Sequence, residues 1–259
     1  LIKGKDEMRR KIVFLVFLWI SINAVWGLEK RETPQSMKTS VVIPCHVDHF
    51  PLLENLLLCL QDQTKPPDEV VISLSEYEQV PAHLLAAFEH RPWPFALKLL
   101  KQKGSYPPGK NRNEACSAST GDLLICQDAD DIPHPQRIEI IKYLFETYQI
   151  NHLLHQWIPV SGNFETYHLE DVESQCSYFK YYFHLNEKPN IHNGSASFVR
   201  ELFDKVHWRP QTTIQEDVLF NHSIYALCTQ KAVLMLPLLI YRFELSTFDL
   251  NGDKPPRKR

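Results

Sequence analysis

The sequence predicts an α/β domain, a mostly parallel sheet with helices on both of its faces. Three observations predict it. Short apolar runs rich in β-branched residues recur along the first half of the chain, and stretches of helical spacing alternate with them. Such alternation supplies the long crossovers that parallel strands need and lays helices over the sheet. A 259-residue chain that is 44% hydrophobic and 11% aromatic also has the material for a sizeable core, far from the composition of disordered chains.

The elements follow in order. Glu29 to Lys38 is polar, contains Pro34 and reads as a linker. Ser40–Pro44 (SVVIP) is a strand ended by Pro44, and Leu52–Leu60, apolar on most sides, is a packed helix. Glu69–Leu74 (EVVISL), Ala96–Leu100 and Asp122–Cys126 (DLLIC) are the second, third and fourth strands. Gly109–Thr120, rich in Ala, Asn and Ser, suits a helix lying close to a sheet. Pro135–Tyr148 carries Ile138, Ile141, Leu144 and Phe145 at helical spacing. The second half is less regular. Asn151–Val160 and Ala232–Leu236 read as strands, Gln215–Cys228 as a helix, and Ile191–Val199 (IHNGSASFV) alternates in part. Tyr178–Leu185 is crowded with aromatics, which suit the core slightly better than stacking on a ligand ring. No internal repeats or low-complexity tracts interrupt the chain. The divisions expected are 1–28 for a membrane-inserting segment, 29–36 for the linker, 37–248 for the α/β domain and 249–259 for a basic flexible tail.

A net charge of -3 gives no sign of nucleic-acid binding, and Arg257-Lys258-Arg259 is too short to change that. Six cysteines (Cys45, Cys59, Cys116, Cys126, Cys176 and Cys228) include no C-x-x-C pair, which disfavours a zinc ribbon or a thioredoxin-type site. Ile12 to Leu28 is a 17-residue run without charge, preceded by Arg9, Arg10 and Lys11. As a helix it spans roughly 25 Å, at the short end for a bilayer crossing. It reads as a signal anchor in preference to a cleaved signal peptide, because the apolar run is long for the latter. Met8 makes a natural start for it, and the basic flank leaves the N-terminus in the cytoplasm. The domain then faces the secretory lumen if the source is eukaryotic, with the cytoplasmic face open if it is bacterial.

The most informative segment is Asp128-Ala129-Asp130-Asp131, directly after the strand DLLIC. On an extended chain Asp128 and Asp130 face the same way. Two such carboxylates repel unless a cation or donor lies between them, and a hard divalent ion takes carboxylate and phosphate oxygens together. The plainer reading is a turn whose acids cap the helix that follows. The surroundings favour the site. GKNRNEACSASTGDLLICQDADD resembles the central block of the family-2 glycosyltransferases, in which A-R-N-x-G, a small-residue helix, a Gly turn and an apolar strand lead into L-D-x-D-D. Arg112-Asn113, Ser119–Gly121, Leu123–Cys126 and Asp128–Asp131 carry the match. Thr39–Pro44 with Cys45 is similar to the family's first strand, T-x-V-I-P-C, and Pro66–Ile72 to its second, P-x-E-I-I-V.

This resemblance implies a GT-A (Rossmann-like) fold and a nucleotide-sugar donor, a UDP-sugar foremost, lying across the carboxyl ends of the first four strands. It implies Mn²⁺ or Mg²⁺ on Asp128 and Asp130 with Asp131 in support, and Pro44, Lys110, Arg112 and Asn113 along the nucleotide. Gln215-Glu216-Asp217 resembles the acidic pair that supplies the family's base. Asp217 would take the acceptor's proton, with Glu216 as second candidate. Leu236-Pro237-Leu238 with Tyr241-Arg242 resembles the closing L-P-x-x-x-Y-R segment, and Arg242 either meets the diphosphate or pairs with an acid. The implied reaction is hexosyl or N-acetylhexosaminyl transfer with inversion, to a glycan or lipid-linked acceptor.

The chain also departs from the pattern. Ser73-Leu74-Ser75-Glu76 stands where D-D-G-S is usual, which leaves Ser75 or Glu76 to meet the nucleotide base. Glu114 replaces a Gly, and Glu244 replaces the His that often follows Y-R. His46-Val47-Asp48-His49 reads as a surface loop, His152 and His155 as packing residues, and Asn193-Gly194-Ser195 and Asn221-His222-Ser223 as glycosylation sequons, the second inside a helix. A nucleotidyltransferase would need a Gly-rich basic loop after the first strand, where this chain has Cys45-His46-Val47-Asp48. A non-catalytic carbohydrate-binding relative would tolerate changes at Asp130 or Asp217.

Overall fold

A computed structural model of the chain describes residues 32–33, 36–178, 192–211, 216–228 and 230–242. The apolar segment Ile12–Leu28, most of the linker, the aromatic run 179–183 and the basic tail lie outside the described residues. Among those described, no helix is long and apolar enough to cross a membrane.

The strands are β1 (Thr39–His46), β2 (Glu69–Ser75), β3 (Ala96–Gln102), β4 (Leu123–Cys126), β5 (Ile132–Pro133), β6 (His152–Pro159), β7 (Cys176–Tyr178), β8 (Ala196–Val199) and β9 (Lys231–Tyr241). The helices are α1 (Leu53–Gln61), α2 (Ala82–His90), α3 (Pro108–Ala118), α4 (Arg137–Thr147), α5 (Leu169–Ser174), α6 (Arg200–Phe203) and α7 (Glu216–Leu227). One sheet runs in the order β3-β2-β1-β4-β8-β6-β9-β5, with β7 on β9. Alternation along each strand divides the core. Val41, Ile43, Val70 and Ile72 pack under α1 and α4, through Leu53, Leu57, Leu60, Ile138, Ile141 and Leu144. Val42, Val71, Leu124 and Cys126 meet α3, α6 and α7 on the other face, through Ala115, Cys116, Phe203, Phe220 and Ile224. Helices therefore cover both faces, as the sequence predicts.

The sheet is mixed, which corrects the expectation of a mostly parallel one. β1, β2, β3 and β4 are parallel. β4 and β6, separated by α4, also point the same way, as the strand-helix-strand pattern requires. The later strand β8 inserts between them, antiparallel to both. β9 then pairs parallel with β6, while β5 and β7 pair antiparallel with β9. Sequence alternation fixes the direction of consecutive strands but says nothing about a later strand entering between them.

This topology positions the site. The carboxyl ends of β1, β2, β4, β6 and β9 lie along one edge of the sheet, and the amino end of β8 joins them there. The opposite edge is closed by short polar ties. Gly121 enters β4 so close to β1 that a Cβ would lie 2.5 Å from Ser40 Oγ and 2.7 Å from Ser40 N, which only glycine avoids. Glu69 gathers Ser40 Oγ (2.6 Å) and the Thr120 amide (2.8 Å) beside it. A cleft of about 680 Å³, lined by Asp122, Asn151, Arg200 and Asp204 among others, opens on this opposite edge, remote from the acidic turn.

Candidate active site

β4 ends at Cys126 and the chain turns at once, with the Asp131 amide donating to the Asp128 carbonyl at 3.3 Å. Extended-chain alternation therefore stops before the acids. The carboxylates that come together are Asp128 and Asp131, and the imidazole of His192 joins them. His192 Nε2 lies 3.4 Å from Asp128 Oδ2 and 3.8 Å from Asp131 Oδ2. Asp130 is buried in the same turn but outside this trio, and its backbone carbonyl accepts from Arg242 Nε. The Arg242 amide donates to Asp131 Oδ1 at 3.0 Å, so Arg242, just past β9, clasps the turn with its backbone on one acid's side chain and its guanidinium on the other's carbonyl.

Three carboxylates this close cannot all be comfortable. Burial, then the charge of Asp128, raises the Asp130 carboxyl above its ordinary value. Burial, Asp128 and Asp130 raise Asp131 further. Burial would raise Asp128 too, but the guanidinium of Arg112, then His192, outweighs it and holds this carboxyl low. Asp131 Oδ2 is buried without a hydrogen-bond partner among the described residues, as is His192 Nδ1. One ligand atom from each of Asp128, Asp131 and His192 lies within 4.8 Å of the others. Two carboxylates and an imidazole, one oxygen of them orphaned, fit a divalent cation such as Mn²⁺.

Arg112, from α3, links this trio to α7. It donates to Asp128 Oδ1 at 2.6 Å and to Glu216 Oε1 at 3.0 Å, and its Nε is buried without a partner. Burial raises the Glu216 carboxyl, with Arg112 pulling it back and Asp217 pushing it further up. Both acids stand in the first turn of α7, where the helix dipole favours anions. Asn193 Nδ2 approaches Glu216 Oε1 at 3.4 Å, and the Val218 amide donates to Asp217 Oδ1 at 2.8 Å.

A second buried guanidinium, Arg137 of α4, lies behind the turn. It donates to Gln127 Oε1 (2.9 Å), to the carbonyls of Cys126 (2.8 Å) and Gly194 (2.6 Å), and to His155 Nε2 (3.0 Å). It thus ties the end of β4 to the 3-10 turn Asn193–Ser195 that follows His192.

The residues expected along the nucleotide occupy several environments. Half-buried Pro44 lies in β1 beside Ser73. Ser75 ends β2, buried, with its hydroxyl on the Cys45 carbonyl at 3.3 Å. Glu76 adopts a left-handed backbone (φ 55°), and its carboxylate meets His46 Nε2 at 2.6 Å across the ends of β1 and β2. Lys110 Nζ sits 3.5 Å from the ring centroid of Tyr106. Asn113 exchanges hydrogen bonds with the Trp208 backbone, at 2.7 and 2.9 Å.

Sequence reasoning missed His192 and Asn193. Ile191–Val199 suggests only a partly alternating strand and a sequon, since no residue pattern tells that this strand enters the sheet at the acidic edge. Both sequon asparagines are buried and bonded, Asn193 to Trp208 Nε1 (3.1 Å) and Asn221 to His152 Nε2 (3.0 Å), so neither presents an acceptor amide in this fold.

Comparison with known proteins agrees with this geometry. The chain matches the model of glycosyl transferase family 2 over residues 40–206. Among solved structures, S. aureus TarS 1-349 resembles it with a TM-score of 0.63 and 18% identity, over 80% of this chain and 60% of that one. TarS 1-349 in complex with UDP-GlcNAc gives a TM-score of 0.61 and 19% identity, over 80% and 58%. The mannosyltransferase PcManGT from Pyrobaculum calidifontis, in complex with GDP-Man and Mn²⁺, gives 0.54 and 18%, over 86% and 62%. This chain thus spans about 60% of the length of the first of these, and at such identities the likeness is one of fold, the GT-A kind. No curated protein matches it in sequence. With its strand order, its acidic turn and a family model covering well over half of its length in agreement, the chain belongs to glycosyl transferase family 2.

Proposed function

We propose that this chain transfers a sugar from a nucleotide-diphosphate donor, a UDP-sugar foremost, to a glycan or lipid-linked acceptor. The observation that carries the reading is the meeting of Asp128, Asp131 and His192 with the Arg112–Glu216 pair at the carboxyl edge of a family-2 sheet. Asp128, Asp131 and His192 would hold Mn²⁺ or Mg²⁺, whose charge, when bound, offsets that of the departing diphosphate. Asp130 remains beside them as a further carboxylate. Arg112, with an uncommitted Nε, adds a fixed positive charge. Pro44, Lys110, Ser75, Glu76 and His46 would line the nucleotide across β1 and β2. The complexes of TarS with UDP and UDP-GlcNAc, and of PcManGT with GDP-Man and Mn²⁺, support the donor and cation classes.

Asp217 would accept the proton of the attacking hydroxyl, since Glu216 is engaged by Arg112 and Asn193. Attack from the face opposite the nucleotide inverts the anomeric centre. The run 12–28 would anchor the domain 37–248 to a membrane, its N-terminus in the cytoplasm.

The test is nucleotide release from a panel of UDP-, GDP- and CDP-sugars by the full chain, with Mn²⁺ or with chelator. Metal-dependent release of one nucleotide diphosphate is expected. Asp128→Asn should lower it a thousandfold or more, and Asp217→Asn should slow turnover while leaving donor affinity within about threefold. Silence on every donor, with no metal-dependent nucleotide binding, would overturn the reading.

A further inference from the structure

The acidic turn does not end the row of functional side chains along this edge. The ring of Tyr241, last residue of β9, lies 4.5 Å from that of His192, centroid to centroid, and Trp157 of β6 meets Tyr241 edge-on at 5.1 Å. Both Trp157 and Tyr241 are half-buried. Trp157 also sits where the β6–β9 ladder breaks register, between Gln156 and Ile158. A bulge of this kind re-aims a side chain and is over-represented beside active sites. The result is an aromatic wall that starts at the proposed cation ligand and runs outward along β6 and β9.

We propose that Trp157 and Tyr241 form a stacking platform for a pyranose ring of the acceptor, an inference that rests on the transferase reading above. Three features of the site favour the acceptor there. The ends of β1 and β2, where the base would lie, are on the far side of β4. Four strand spacings separate β2 from β6, about 19 Å, so the platform is out of reach of the base and on the sugar side of the cation. A pyranose carries an apolar C–H face with hydroxyls at its rim, and such ligands are held by aromatic walls with few polar groups. The wall begins at His192, which places a ring stacked on it beside the bond to be formed.

The experiment uses the full chain and its Trp157→Ala and Trp157→Phe variants, with UDP or GDP, whichever the wild type binds with Mn²⁺. Calorimetry on the nucleotide-loaded protein measures binding of cellobiose, lactose and N,N′-diacetylchitobiose. At least one disaccharide is expected to bind. Trp157→Ala should raise its Kd tenfold or more and Trp157→Phe less than threefold, with the nucleotide Kd within twofold in both. An unchanged disaccharide Kd in Trp157→Ala would overturn the platform and leave the transferase reading standing, as would a nucleotide-loaded wild type that binds none of the three. Weakened binding of the nucleotide-sugar but not of the nucleotide would assign the platform to the donor sugar and overturn it as an acceptor site. A wild type that binds no nucleotide with Mn²⁺ would overturn both readings together.

Discussion

Two buried guanidinium groups flank the acidic turn, and their surroundings are opposite in kind. In front, Arg112 faces two carboxylates, Asp128 and Glu216. Burial alone would make that guanidinium easier to deprotonate, but Asp128 and then Glu216 reverse the effect and hold its proton more firmly. Behind, Arg137 faces only neutral acceptors: two carbonyls, an amide oxygen and an imidazole nitrogen. There burial dominates, and its pKa falls to about 10. The front cation is held by opposite charge and lines the site. The rear one is an architectural tie that fixes the end of β4 against the turn beside His192. In front, charge serves chemistry; behind, directional donors serve geometry.

The largest effect should come from unbalancing the front. Arg112→Met leaves two largely but not fully buried carboxylates without their shared cation, and breaking a buried pair by removing one partner costs about 3–5 kcal/mol, here toward the lower end. Urea unfolding near pH 7.5 measures it, and a loss below about 1 kcal/mol would show that water enters and shields the pair. Arg112→Lys should recover only part, since a point charge cannot fork to both acids.

Acid should act on the rear instead. His155 Nε2 accepts from Arg137 and its Nδ1–H is left to donate to the Gln156 carbonyl, so a proton on Nε2 removes an acceptor of the rear tie. Burial, then the charge of Arg137, holds His155 well below the usual histidine value. Burial likewise brings His152 down to about 4, against the opposing hydrogen bond with Asn221. Between the ordinary histidine value of 6.5 and about 4 the unfolded chain therefore binds more protons than the folded one at these two imidazoles. Stability is full above 6.5 and is lost as pH falls through this window, by on the order of 3 kcal/mol for His152 alone. Asp128, held low by Arg112, stays charged over most of it, while Asp130, Asp131 and Glu216, whose carboxyls are raised, take up protons sooner in the folded chain than in the unfolded one and offset part of the loss. Urea midpoints at pH 7.5, 6.0 and 5.0 should fall in turn, and less steeply in a His152→Gln variant; equal slopes in the two would mean that the His152 imidazole reaches water.

The same contrast explains what the sequence revealed. β1, β2 and β4 could be located within a few residues, because strands buried on both faces are written as continuous apolar runs such as SVVIP and DLLIC. Asp128, Arg112 and Glu216 were legible because chemistry needs those residue types in a known order. Helix α2 escaped notice: only Leu85 among its residues is buried, so it lacks a clear apolar stripe. Arg137 lay inside an apolar helix with nothing to distinguish it from a surface residue, and only the fold brings four acceptors around it. His192, in the turn that leads into β8, and Trp157, in β6, lie far from the acids in sequence, and the order of strands in the sheet, not spacing in the chain, unites them.

Removing the rear tie should cost less than unbalancing the front. Arg137→Met strands four neutral acceptors, each worth about 1–3 kcal/mol if left dry, but it also withdraws an unpaired buried charge. A net loss of about 2 kcal/mol is expected, with Mn²⁺ affinity lowered because the turn beside His192 is no longer fixed to β4. A variant that unfolds like the wild type and binds Mn²⁺ equally well would remove Arg137 from the support of the site.

The smallest effect should carry the opposite sign. Asp131 is the front carboxylate that burial, Asp128 and Asp130 push furthest toward its neutral form. Asp131→Asn keeps an oxygen for the Arg242 amide, bonded at 3.0 Å, and exchanges the orphaned Oδ2 for an NH₂ group. An Asp128 carboxylate oxygen lies within 4.8 Å of one of Asp131's, so with an amide in place of the acid repulsion becomes attraction. The metal-free variant should be about 1 kcal/mol more stable than the wild type at pH 7.5, while its affinity for Mn²⁺ drops tenfold or more. Gain in one measurement and loss in the other is what a cation site held against its own repulsion requires. A metal-free loss of stability would mean instead that the turn is shaped by its hydrogen bonds and that its crowded charge is incidental.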